Sequence, residues 1–79
     1  MGKSTAILLI KRLRELRSRR GLTQEEFAEQ ASISYKYYQA IEGGRKIDLR
    51  LSTIDRLASA HGLPVWKLLQ FQEDDQSSD

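Results

Sequence analysis

The chain has 79 residues, with 13 basic and 11 acidic side chains, one histidine and no cysteine. That length suits one domain, near the lower size at which an apolar core suffices alone; the lack of cysteine excludes disulfides and thiolate metal sites and fits a reducing cytoplasm. The net charge of +2 hides an uneven distribution: setting aside Glu73, Asp74, Asp75 and Asp79 leaves 13 basic against 7 acidic residues, or +6, over residues 1–71.

In chain order, the first helix is predicted from Ser4 or Thr5 to about Arg19, with Ala6, Leu9, Leu13 and Leu16 recurring as one apolar face. Its run Ala6 to Ile10 is too short to span a bilayer and lacks the flanks of a signal peptide. Lys11, Arg12, Arg14, Arg17, Arg19 and Arg20 follow as a cluster of phosphate donors, and Gly21 ends the helix. Thr23 and Glu26 have the spacing of a capping box, flanked by Leu22 and Phe27 as a hydrophobic staple, so a second helix starts there. Ser34 opens a third helix, with Ile33 and Tyr38 in the same staple positions. Two short helices joined by so tight a turn are a helix-turn-helix, a motif that places its second helix in a DNA groove. Gly43 and Gly44 end that helix, and an extended loop runs from Arg45 to Leu51, carrying Arg45, Lys46 and Arg50. A fourth helix is predicted from Ser52, where Asp55 has capping-box spacing, with Ile54, Leu57, Ala58 and His61 on one side and Gly62 as its end. Pro64 suits the first turn of a short fifth helix through Trp66, Leu68 and Leu69. Residues 72–79, acidic and serine-bearing, are expected to be a disordered tail. The class is all-α, one domain over residues 1–71.

The ordered set Leu13-x-x-Leu16-Arg17, Gly21-Leu22-Thr23-Gln24-Glu25-Glu26-Phe27-Ala28, Ile33-Ser34, Ile41-Glu42-x-Gly44-Arg45 and Leu57-Ala58 resembles the phage repressor and Cro-type helix-turn-helix family of DNA-binding regulators, over about residues 9–69. The resemblance implies a compact five-helix repressor-like domain. It implies that Gln24 bonds a DNA phosphate and braces the recognition helix, that Arg17 and Glu42 form a structural, partly buried salt bridge, and that the first two residues after the third helix's cap, Tyr35 and Lys36, carry base contacts. A rotation of about 100° per residue places Tyr38 and Ile41 inward and Tyr35, Lys36, Gln39 and Ala40 outward. Gln39 offers a donor and an acceptor to adenine, and Lys36 suits the O6 and N7 acceptors of guanine. Tyr35 is either a DNA contact or an exposed first-turn residue; Tyr37, on the flank, either stacks, bonds a phosphate through its hydroxyl or packs. Arg45, Lys46 and Arg50 fall in the loop that follows the DNA backbone in the family, supplying affinity more than sequence choice.

Three departures stand out. Ser32 occupies the turn position where glycine is usual, which requires either a left-handed serine or a different turn. Leu49 replaces a frequent proline in a loop one residue longer, and His61 stands where leucine is common, as a half-buried packing residue. Ile7 to Ile10 cannot all face one core, and Trp66 falls at a position polar in many relatives. Family members often dimerise near the fifth helix, so a homodimer with Trp66, Leu69 and Phe71 at its interface is expected; the alternative has Trp66 closing the core of a monomer. Gly2-Lys3-Ser4 lacks the strand and upstream glycine of a phosphate loop. No nucleophile–base pair, carboxylate pair or metal cluster is present, so no enzyme activity, catalytic residue, cofactor or metal is expected. The expected function is sequence-specific binding of double-stranded DNA by a bacterial or phage transcription regulator of repressor or controller type, cytoplasmic and nucleoid-associated, with helix 3 in the major groove. The alternative is a protein-interaction module, such as an antitoxin, for which DNA is secondary.

Overall fold

The computed structural model describes residues 3–71; the expected acidic tail, 72–79, lies outside them. Its elements are α1 (Lys3–Arg19), α2 (Gln24–Gln30), α3 (Tyr35–Glu42), α4 (Leu51–Ala60) and α5 (Val65–Leu68), with no strand among the described residues. One face of α1, through Leu9 and Leu13, meets Phe27, Ala28 and Ala31 from α2 and its cap, Tyr38 and Ile41 from α3, Ile54, Leu57 and Ala58 from α4, and Leu68 from α5, all buried. Ile33, Leu49, Leu69 and Phe71 pack around this core as half-buried residues.

Local chemistry sets the helix starts. The Thr23 hydroxyl accepts from the Glu26 amide at 3.1 Å while the Glu26 carboxylate accepts from the Thr23 amide at 2.9 Å, closing the capping box. The Ser34 hydroxyl accepts from the Tyr37 amide at 3.0 Å. The start of α4 differs from the sequence expectation: its N-cap is Arg50, which makes no side-chain cap, and Ser52 and Asp55 lie within the helix rather than forming a box. Leu49 packs against the core just before this point and the helix starts at Leu51, two positions too early for a Ser52 cap. Pro64 is likewise the N-cap of α5, one residue before its first turn.

Four helices end in the same motif, in which the residue after the C-cap turns left-handed and the next two amides bond back to the last turn. Gly21, Gly44 and Gly62 fill the left-handed position after α1, α3 and α4; Ser32, at φ 60°, fills it after α2. The Ser32 amide donates to the Glu29 carbonyl and the Ile33 amide to the Ala28 carbonyl, both at 3.1 Å. The turn therefore keeps the geometry that glycine usually supplies, with a serine strained by about 1 kcal/mol relative to glycine. Its carbonyl accepts from Arg56 Nη1 at 3.0 Å, which fastens the turn to α4.

Candidate nucleic-acid interface

The inner end of α3 is organised around one carboxylate. Glu42 is 2 % exposed. It accepts from Arg17 Nε at 2.8 Å and Nη2 at 3.0 Å, from Gln24 Nε2 at 2.9 Å, and from the Tyr38 hydroxyl. Arg17 Nη1 also donates to the Leu22 carbonyl at 2.9 Å, and Arg14 Nη2 to the Glu42 carbonyl at 2.7 Å. Burial pushes the Glu42 carboxyl up, but hydrogen bonds from Arg17, Tyr38 and Gln24 outweigh it and hold it below the usual carboxylate range. Burial, reinforced by the neighbouring carboxylate, pushes the Tyr38 phenol far up, so it stays a neutral donor. One side chain thus ties α1 and α2 to the end of α3 and fixes how α3 leaves the core.

From Tyr38 the contacts continue through the core. Tyr38 packs on Phe27 with ring centroids 5.0 Å apart, and Phe27 stacks on His61 at 4.3 Å with an 18° interplanar angle. Arg20 Nη1 lies 3.2 Å from His61 Nδ1. A guanidinium has no acceptor, so Nδ1 accepts and the imidazole proton resides on Nε2. Nε2 is buried, and no described residue bonds it. Burial, with Arg20 and then Arg12 nearby, pushes the His61 imidazole down to about 4. The set Arg17, Glu42, Tyr38, Phe27, His61 and Arg20 starts on α1, crosses α3, α2 and the C-cap of α4, and returns to the residue that follows α1.

The basic cluster of α1 has a different use from the one its sequence suggests. Arg12 donates through Nε to the Leu68 carbonyl at 2.8 Å and through Nη2 to the Lys67 carbonyl at 3.0 Å. Arg20 donates to the Ala60 carbonyl at 2.9 Å and to Gln30 Oε1 at 2.8 Å. Together with Arg14 and Arg17, these guanidiniums bond the C-terminal carbonyls of α3, α4 and α5 and the buried carboxylate, where a cation also favours the helix dipole. Four of the six expected phosphate donors thus bond other parts of the fold.

The other face of α3 is open. Tyr35, Lys36 and Gln39 are exposed, Ala40 is half-buried, and Gln39 Nε2 donates to the Tyr35 hydroxyl at 3.2 Å, one helical turn away. Tyr37 is half-buried, and with Ser34, Lys46, Asp48, Arg50 and Arg56 it lines a groove between the start of α3, the loop and α4. Three cations against one acid make this groove attractive to phosphate. Arg45 folds back over Gly43, where a Cβ would meet its Nη1 at 3.1 Å. Gln24 is half-buried with its amide on Glu42, so it braces α3 from within. Arg56 was invisible to sequence reasoning as a member of this surface; nothing in its spacing marks an arginine that reaches a turn 24 residues away.

Trp66 is 66 % exposed, which removes the alternative in which it closes a monomeric core; Leu69 and Phe71 fill that place against the core instead. Ile7 is 60 % exposed, while Leu9, two residues on, is buried. Among the described residues no helix is long and apolar enough to cross a membrane, and no group of three or more His, Cys, Asp or Glu side chains is placed to hold a metal ion.

Comparison with known proteins gives a consistent result. A family model described as a helix-turn-helix domain matches residues 9–67. The HTH-type transcriptional regulator DdrOP3 of Deinococcus deserti is 44% identical over 62 residues, covering 78% of this chain and 47% of that protein, so the chain spans about half the length of this relative. The crystal structure of the hypothetical transcription factor NHTF from Neisseria superposes with a TM-score of 0.79 at 28% identity, covering 94% of this chain and 84% of the other. That of the clp gene regulator ClgR from Corynebacterium glutamicum superposes with a TM-score of 0.72 at 29% identity, covering 82% and 68%.

Proposed function

The chain belongs to the helix-turn-helix domain family, and from that premise we propose that it is a transcription regulator that binds double-stranded DNA sequence-specifically, with α3 in the major groove. The observation that carries this reading is the split of α3 into a face locked to the core by Glu42 and a face that leaves Tyr35, Lys36 and Gln39 exposed. A helix held rigidly by one side and polar on the other is what base-edge recognition needs. Lys36 reads guanine, Gln39 reads adenine, and Tyr37, Arg45, Lys46 and Arg50 bond the phosphates on the flank, with Gln24 bracing α3 beside them. Selection of binding sites from a random duplex pool tests this: a short enriched motif is expected, and a pool that stays random at moderate salt contradicts it.

The regulator acts as a homodimer of repressor or controller type. Trp66 is exposed beside the half-buried Leu69 and Phe71 on the C-terminal side of the fold, the place where a second copy covers apolar surface. A two-fold pair reads two half-sites roughly 34 Å apart. Sedimentation at micromolar concentration should show a dimer that Trp66→Ala weakens; a pure monomer, unchanged by added DNA, contradicts it.

A further inference from the structure

The hydrogen bond across the first turn of α3 separates the roles of its two outward polar residues. Gln39 Nε2 donates to the Tyr35 hydroxyl at 3.2 Å, and both side chains are on the exposed face. An amide on a flexible side chain samples several rotamers, and two sp² groups must lie in one plane for a bidentate bond to adenine. With one N–H held by the phenol, the Gln39 amide keeps a second N–H and its Oε1, the donor and acceptor that adenine N7 and N6 require. Tyr35 sits a full turn earlier, at the first position of the helix, where a ring with only two rotatable side-chain bonds is a stiff post. We propose that Tyr35 is a positioning residue: its hydroxyl presets the Gln39 amide for an adenine, and Tyr35 reads no base itself.

This inference rests on the reading of α3 as the helix that enters the major groove. It predicts that Tyr35 and Gln39 specify the same single base pair and act as one unit, whereas Lys36 specifies another pair independently.

The test is a double-mutant cycle read by site selection and by competition between duplexes that differ at one base pair, using wild type, Tyr35→Phe, Gln39→Ala and the double variant. Tyr35→Phe removes only the hydroxyl from an exposed ring, so thermal unfolding followed by circular dichroism should coincide with wild type. Gln39→Ala is expected to lower preference for adenine at one position by about tenfold. Tyr35→Phe is expected to lower it at that same position by about threefold, and in the Gln39→Ala background to change nothing further. Loss at a different base pair, additive losses, or no effect of Tyr35→Phe where Gln39→Ala has one would overturn the inference while leaving the proposed function standing. A wild-type pool with no enriched site overturns both.

Discussion

The two faces of α3 are built from neighbouring residues and obey opposite rules. On the inner face every polar atom of Glu42 is engaged, and its charge is offset by a guanidinium, an amide and a phenol from three different positions. On the outer face, among the described residues, the side chains of Tyr35 and Gln39 bond only each other. The inner residues can be read as an account of stability, in which removing one partner strands another. The outer residues make few contacts that folding needs, so their chemistry is available for something outside the molecule. A similar division holds for the arginines: Arg12, Arg14 and Arg20 bond helix-end carbonyls, and Arg50 and Arg56 line an open groove.

Substitutions on the two faces should therefore separate stability from recognition. The largest effect is expected from Glu42→Ala, which leaves the Arg17 guanidinium half-buried without its carboxylate; urea unfolding should show a loss of about 3–5 kcal/mol. Acid is the second way to attack the inner side. His61 titrates lower in the fold than its ordinary 6.5, at about 4, and Glu42 lower than its ordinary 4.5. Both groups bind protons more readily in the unfolded chain, so stability is full above those ordinary values. The His61 share falls as pH drops from about 6.5 to about 4, and the Glu42 share falls below about 4.5. A difference between pH 7 and pH 4 of about 2–3 kcal/mol is expected from His61. His61→Leu should abolish the part of that slope between pH 6.5 and 5, and an unchanged slope would show that other groups carry it.

On the outer face, Lys36→Ala should leave unfolding within about 0.5 kcal/mol of wild type while lowering discrimination at one base pair by about 1–3 kcal/mol. A Lys36→Ala variant that unfolds much more easily would erase the distinction between the faces. The smallest effect concerns the turn that sets the angle between α2 and α3. Ser32→Gly should stabilise by about 1 kcal/mol, because glycine adopts φ 60° without strain, and DNA selection should be unaffected.

Much of this arrangement is legible in the sequence because its determinants are local. Thr23, Glu26 and Ser34 announce the starts of α2 and α3 through bonds spanning three residues. Those two signals leave Ser32 either left-handed or in an altered turn, and the fold takes the left-handed form. Where the determinant is distant, or uses atoms every residue has, sequence is mute. The start of α4 at Arg50 involves no capping side chain, so the nearby Ser52 and Asp55 attract a reading they do not fulfil. Arg12 meets the Leu68 carbonyl 56 residues away, and a carbonyl acceptor carries no residue-type signature. That is why these arginines resemble a nucleic-acid patch in the sequence, while Arg12, Arg14 and Arg20 bond helix-end carbonyls in the fold. Trp66 is a third case: its side chain is apolar, and only the packing of Leu68, Leu69 and Phe71 reveals that the core is already full.

The central claim is that α3 presents a sequence-reading face to duplex DNA, and the most direct measurement is a pair of dissociation constants at about 0.15 M salt. One is for the duplex recovered by selection and one for the same base composition scrambled. The account predicts tighter binding to the selected duplex by about a thousandfold or more; equal affinity for the two, falling together as salt rises, would contradict it and leave only phosphate attraction.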